Sequence, residues 1–159
     1  NEGEGFQLQM QQFQEERSFI AASVLVVIDN CINQTIQYCS DRNAFGKSII
    51  NNQAIQFRLA ELQTEIEALR SLVYRACEKF IKDKDMTYLA SMAKLKSGRQ
   101  TRDVADTCLQ FWGGLGVTWE NPISKVYRDG RLGSIGGGAD EIMLEIICKK
   151  MGMITKREI

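Results

Sequence analysis

Three glycines, Gly136, Gly137 and Gly138, run straight into Ala139-Asp140-Glu141-Ile142-Met143. Glycine lets a backbone approach a ligand closely, and a helix start offers free N–H groups to an anion. The same stretch also reads as an ordinary turn before a helix. Two further segments pair glycine with groups that suit a phosphate or a base. Asp41-Arg42-Asn43-Ala44-Phe45-Gly46-Lys47 offers an arginine fork and an aromatic ring. Read blandly, it is a helix end with Arg42 on the dipole and Gly46 in a turn. Gln110-Phe111-Trp112-Gly113-Gly114-Leu115-Gly116 offers bare backbone to a pyrophosphate, or simply ends a helix. It is not the dinucleotide fingerprint, because a helix precedes it where that motif needs a strand. Arg128-Asp129-Gly130-Arg131 reads as a solvated charged turn. Near the start stand two adjacent carboxylates in Glu15-Glu16-Arg17-Ser18-Phe19-Ile20. Neighbours on a helix point about 100° apart, so the two cannot serve one site.

Long helices must position these groups. There is one proline, Pro122, so little interrupts a helix. The first helix is expected over Gln9 to Asp41, with an apolar stripe of Ile20, Val24, Val27, Cys31 and Ile36. A connection follows from Asn43 to Asn52, and a second helix starts near Gln53. Ile55, Leu59, Leu62, Ile66, Leu69, Val73, Ala76 and Phe80 form a heptad seam. That seam is either intrachain core, the default for a bundle, or an oligomer contact. Lys82-Asp83-Lys84-Asp85 breaks the pattern. The third helix, about Met86 to Phe111, carries Leu89, Met92, Leu95, Val104 and Cys108. A short segment from Pro122 to Asp129, a loop from Gly130 to Gly138 and a last helix from about Ala139 to Met151 complete the chain. No useful length alternates with period two. The expected fold is all-α: an antiparallel four-helix bundle with a short extra helical segment, free of β-sheet, and one domain over residues 1–159.

Composition narrows the function. A chain of 159 residues buries roughly 70% of its unfolded surface, enough for its own core. Charge balances at 20 basic against 20 acidic residues, which argues against nucleic acid or an anionic membrane as partner. The absence of histidine excludes histidine triads and histidine metal sites, and no metal ligand set is expected. Five widely spaced cysteines without a CxxC read as buried thiols in a reducing compartment. The best membrane-span candidate, Phe19 to Ile32, is interrupted by Ser23, Asp29 and Asn30, so no span is expected. Asn1-Glu2-Gly3-Glu4-Gly5 opens the chain without methionine and suggests a piece of something longer.

Arg-x-x-Phe-Gly-Lys, Gln-x-x-Gly-Gly-x-Gly and Gly-Gly-x-x-Glu-Ile-Met, in this order and spacing, make the chain from about Gly5 to Met153 resemble the C-terminal domain of acyl-CoA dehydrogenases. The long-chain branch is the nearest match. The resemblance implies a helical bundle that follows an N-terminal helical domain and a β-barrel, in a dimer or tetramer. It implies FAD between barrel and bundle, with a partner's bundle touching the ADP half. It places Arg42, Phe45, Gln53, Gln110, Gly113 and Gly114 at the FAD, and sets Ala139 and Glu141 where the last helix begins beside the cofactor. The family often has threonine where this chain has Ala139.

Family reactions take a proton next to a thioester carbonyl while a hydride passes to the flavin. Most members use a glutamate at the position occupied here by Gly137, which has no side chain. The long-chain and isovaleryl-like subset instead uses a glutamate on the first bundle helix. By resemblance Glu16 falls on that base position. Arg17, Gly137 and Gly138 fall at the substrate. The implied partners are an acyl-CoA and an electron-transferring flavoprotein. The implied location is the mitochondrial matrix in a eukaryote and the cytoplasm otherwise. The isolated chain is expected to be inactive without its other domains. Two alternatives stand beside this reading: a non-catalytic helical oligomerisation module, and an acyl-CoA oxidase on the same fold.

Overall fold

A computed structural model describes residues 2–154. The 37-residue α1 runs Gly5–Asp41, uninterrupted because neither glycine nor proline falls within it after Gly5. The Arg42 N–H donates to the Tyr38 carbonyl and closes it. Next comes a small correction to the expectation of no sheet. Asn43–Ala44 (β1) and Lys47–Ser48 (β2) pair antiparallel, with Asn43 opposite Ser48 and Ala44 opposite Lys47. Phe45 and Gly46 make the two-residue turn at φ 52° and 79°, the left-handed pair that a tight hairpin requires. A 3₁₀ turn, Ile49–Asn51, leads into α2, Gln53–Ile81. The Asn52 side chain caps α2 by accepting from the Ala54 N–H at 3.1 Å.

The heptad seam of α2 is core within the chain. Leu59, Leu62, Ile66, Leu69, Val73 and Ala76 are buried, while Ile55 is half-buried and Phe80 lies exposed at the end. α3, Thr87–Trp112, is the central helix and packs against α1, α2, α5 and the segments that follow it. Its buried face is small: Ala90, Ala93, Ser97, Gly98, Thr101 and Ala105, with Leu89, Val104 and Cys108. Met92 and Leu95 are only half-buried. A 3₁₀ turn at Gly113–Val117 ends it. Asn121 accepts from the Ile123 N–H, and Pro122 sits in the first turn of α4, Pro122–Asp129. The expected loop begins with a 3₁₀ turn, Gly130–Ser134, and α5 spans Asp140–Lys150. The result is the expected all-α bundle of four principal helices with α4 as the short extra segment.

Two expectations about α1 need correction. The side chains that enter the core are Ala21, Leu25, Ile28, Cys31, Ile32, Thr35 and Cys39. Of the expected stripe only Cys31 is among them; Ile20 and Val24 are half-buried and Val27 and Ile36 exposed. The helix is apolar on two faces, and the stripe named from the sequence is the second. For that reason α1 is also long and apolar enough to cross a membrane, contrary to the expectation of no such segment. Its first face is core of the bundle, and on it Asp29 is ion-paired to Arg70 of α2 at 2.5 Å.

Candidate functional site

The second face of α1 leads from a carboxylate into a cavity. Glu16, Ile20, Val24 and Val27 fall on one side of the helix by the 3.6-residue period. Ile20, Val24 and Val27 line an apolar cavity of about 480 Å³, closed opposite by Val126, Leu132, Gly136 and Gly137. Glu16 stands one turn before Ile20, half-buried, and its Oε1 accepts from Gln12 Nε2 at 3.1 Å. Glu15 faces elsewhere. It lines a smaller cavity of about 260 Å³ with Phe19, Phe80 and Met86.

Arg17 joins α1 to the glycine turn. It is buried, its Nε donates to the Gly137 carbonyl at 3.1 Å, and its guanidinium lies 5.4 Å from the centre of the Phe13 ring. Burial lowers the Arg17 pKa, with the Glu16 charge acting in the opposite sense. Gly137 has φ 67° and Gly138 φ 107°, a backbone region that disfavours side chains. A Cβ on Gly137 would stand 3.0 Å from Ile20 Cδ1, so a carboxylate there would need Ile20 to move. A Cβ on Gly138 would stand 2.7 Å from Met143 Cε.

Sequence reasoning missed a second cation here. Lys94 of α3 is fully buried, and its ammonium donates to the Gly138 carbonyl. Burial lowers its pKa; Asp140 opposes that shift, Arg17 adds to it, and Glu141 opposes it. The only signal in the sequence is a lysine amid small and apolar residues on the core side of a helix. Ala139 is the N-cap of α5 and has no side chain to cap with. Asp140 follows, its Oδ2 held by Arg99 and Arg102 at 3.4 Å each, while Glu141 is exposed.

A second group of residues lies at the far end of α1. At about 1.5 Å per residue the helix puts Glu16 and Arg42 roughly 39 Å apart. Tyr38 and Trp112 stack there with centroids 4.1 Å apart, and Trp112 Nε1 donates to Thr35 Oγ1 at 3.1 Å. Sequence reasoning did not single out these three. Arg42, Trp112, Gly113 and Gly114 border a cleft of about 380 Å³. No described atom lies within 4 Å of a Cβ built on Gly113 or Gly114, and only Gly113, at φ 60°, has a backbone that favours glycine. Nothing among the described residues requires glycine at position 114, which fits the close approach of an outside group. Phe45 stands fully exposed at the hairpin tip in a left-handed conformation, a costly placement for an aromatic residue. Gln53 and Gln110 are exposed, in the first turn of α2 and the last turn of α3, but do not line the cleft. A cation, bare backbone and an exposed aromatic ring are a set of groups that fits the phosphate and base portions of a dinucleotide. Arg128 and Asp129 are apart from this end: Arg128 lies 3.9 Å over the Trp119 ring, and Asp129 borders the apolar cavity.

The acyl-CoA dehydrogenase C-terminal domain profile matches residues 3–152. The long-chain specific acyl-CoA dehydrogenase of Mus musculus is 37% identical over 151 residues, covering 94% of this chain and 35% of that one. The short/branched chain specific acyl-CoA dehydrogenase of Bos taurus is 33% identical over 147 residues, covering 92% and 34%. An acyl-CoA dehydrogenase from Geobacillus kaustophilus superposes with a TM-score of 0.92 at 35% identity, covering 95% of this chain and 40% of that one. The chain therefore spans about a third of the length of the curated relatives it matches. With the profile matched along nearly all of its length, the chain belongs to the acyl-CoA dehydrogenase C-terminal domain family.

Proposed function

We propose that this chain is the C-terminal bundle of a FAD-dependent acyl-CoA dehydrogenase that oxidises an acyl-CoA thioester at its α and β carbons. The observation that carries the reading is the Glu16 face of α1. It runs into an apolar cavity whose opposite wall, at Gly137, has no side chain. A thioester with its acyl chain along Ile20, Val24 and Val27 brings its α-carbon to the Glu16 end. The Glu16 carboxylate takes the α-proton, and the proton stays on that carboxyl. Arg17 does not reach into the cavity as a free cation. Its bond to the Gly137 carbonyl ties the turn to the helix that bears Glu16. FAD, when bound, supplies the hydride acceptor at the β-carbon.

Arg42, Gly113 and Gly114 would hold the pyrophosphate side of FAD, with Phe45, Gln53 and Gln110 around it. Ala139 and Glu141 would lie beside the cofactor at the start of α5. About 39 Å of α1 separates the two sets, more than one dinucleotide spans. Each set then serves a different FAD, which supports a homo-oligomer in which bundles exchange these ends. Electrons would leave to an electron-transferring flavoprotein. The proposed location is the mitochondrial matrix in a eukaryote and the cytoplasm otherwise. The heptad seam of α2 is used inside the chain, which disfavours the oligomerisation-module reading.

The experiment is anaerobic titration of the purified full-length protein with acyl-CoAs of graded length and branching. Bleaching of a bound yellow flavin supports the reading. A full-length protein that binds no flavin, or whose flavin no acyl-CoA bleaches, refutes it. Rapid oxygen consumption without an added acceptor would assign oxidase chemistry instead.

A further inference from the structure

Among the described residues Lys94 is the largest side chain that is wholly shielded from solvent. Its ammonium bonds a backbone carbonyl, that of Gly138. The nearby Asp140 carboxylate bonds Arg99 and Arg102 through Oδ2 and leaves Oδ1 buried without a hydrogen-bond partner; it acts on Lys94 through its charge, while the hydrogen bond of the ammonium goes to the turn. Burying an ammonium without a paired carboxylate is expensive, and an apolar side chain of similar volume at such a position is often as stable or more so. Stability therefore does not account for this lysine. What it holds does. Gly137 and Gly138 form a turn whose two carbonyls each meet a cation from a different helix: Arg17 of α1 on Gly137 and Lys94 of α3 on Gly138. Both residues of that turn have positive φ, a conformation with no helix or sheet ladder to hold it. The turn walls the apolar cavity at Gly137 and leads directly into α5.

We propose that Lys94 is a positioning residue: with Arg17 it clamps the Gly137–Gly138 turn, fixing the wall of the cavity opposite the Glu16 face of α1. The proposal rests on the acyl-CoA dehydrogenase reading above. It gives a role to a buried charge that makes no contact with the cavity itself.

Lys94→Met and Lys94→Arg in the full-length, flavin-loaded protein test it. Methionine fills the space without a donor, and arginine keeps charge and donors. In Lys94→Met, backbone amides of residues 136–141 should exchange hydrogen faster while those of α2 keep their protection. The melting temperature should stay at or above that of the wild type. Loss of alignment should lower kcat about 100-fold, with KM changed less than about threefold. Lys94→Arg should retain more kcat than Lys94→Met. Unchanged exchange at 136–141, or kcat of Lys94→Met within about threefold of wild type, overturns the clamp. So does a loss of kcat that merely follows melting temperature across the two variants. A wild-type protein inactive on every acyl-CoA would defeat the underlying reading instead, and the exchange measurement would still decide whether Lys94 holds the turn.

Discussion

Replacing Gly138 by alanine should destabilise this chain, chiefly through the backbone. The backbone there has φ 107°, where a side chain costs about 1–3 kcal/mol. The added Cβ would stand 2.7 Å from Met143 Cε and 3.6 Å from Arg17 Nη2. Met143 is fully buried, but the methyl in the way is the far end of a flexible side chain, so its shift adds roughly 1 kcal/mol at most. Together these give about 1–4 kcal/mol, or a melting temperature lower by roughly 2–16 °C in a domain of this size. Gly114→Ala is the matched control. No atom lies within 4 Å of its Cβ and its φ is not positive, so the melting temperature should hold or rise slightly. Scanning calorimetry of the two variants beside wild type decides the matter. A loss below about 2 °C for Gly138→Ala, or an equal loss in both, would refute the packing and backbone argument. In the full-length protein the order reverses for the cofactor: Gly114→Ala should shed FAD more readily on dilution than wild type, because it fills space the chain itself leaves open.

Two further variants probe the ends of α5. Ala139→Thr gives the helix the cap it lacks and should add about 0.5–1 kcal/mol, read as a melting temperature a few degrees higher; no gain would mean the Ala139 position does not accept a capping geometry. At the other end, the Lys150 ammonium, with the Thr87 hydroxyl and N–H, holds the Asp85 carboxyl well below the usual carboxylate range. Its contribution is complete above an unfolded pKa near ~4 and is lost as pH falls through the lower folded value. Both side chains are well exposed, so Asp85→Asn should cost less than about 1 kcal/mol at pH 7. That difference should shrink toward zero with acidification and with added salt, and a cost that grows on acidification would contradict the sign.

Much of this architecture is legible in the sequence because the breakers are few. The lone proline and the glycine clusters mark where α3 ends and where α4 and α5 begin, and the α2 seam has a single apolar face. The faces of α1 are not legible in the same way, since a helix apolar on two sides supports two stripes. The side toward the core carries small and polar members, Ala21, Thr35 and Cys39, which score poorly as a stripe. The hairpin at Phe45-Gly46 was invisible because two-residue strands have no period to detect. The motifs draw attention to Arg42, Gly113, Gly114, Gly137 and Gly138 because their residue types carry their own signal, and the fold sets Gly137 at one cavity and Arg42, Gly113 and Gly114 at another. Lys94 carried none, because a charged residue on a helix ordinarily signals the solvent side, and only the packing of α3 against the glycine turn reveals that this one points inward. Tyr38 and Trp112 were passed over for a related reason: they are far apart in sequence and meet only through the crossing of α1 and α3.

The claim that Glu16 is the base is tested most directly by Glu16→Gln in the full-length protein, followed by anaerobic stopped-flow reduction of the bound flavin with acyl-CoA. Glutamine keeps the shape and the bond from Gln12 but cannot take a proton. FAD content and thioester binding should survive, and flavin reduction should slow by about 10²–10⁴-fold or more. Glu15→Gln, whose side chain borders a different cavity, should reduce flavin at close to the wild-type rate. Flavin reduction by Glu16→Gln within a few fold of wild type would make Glu16 a surface carboxylate and contradict the account.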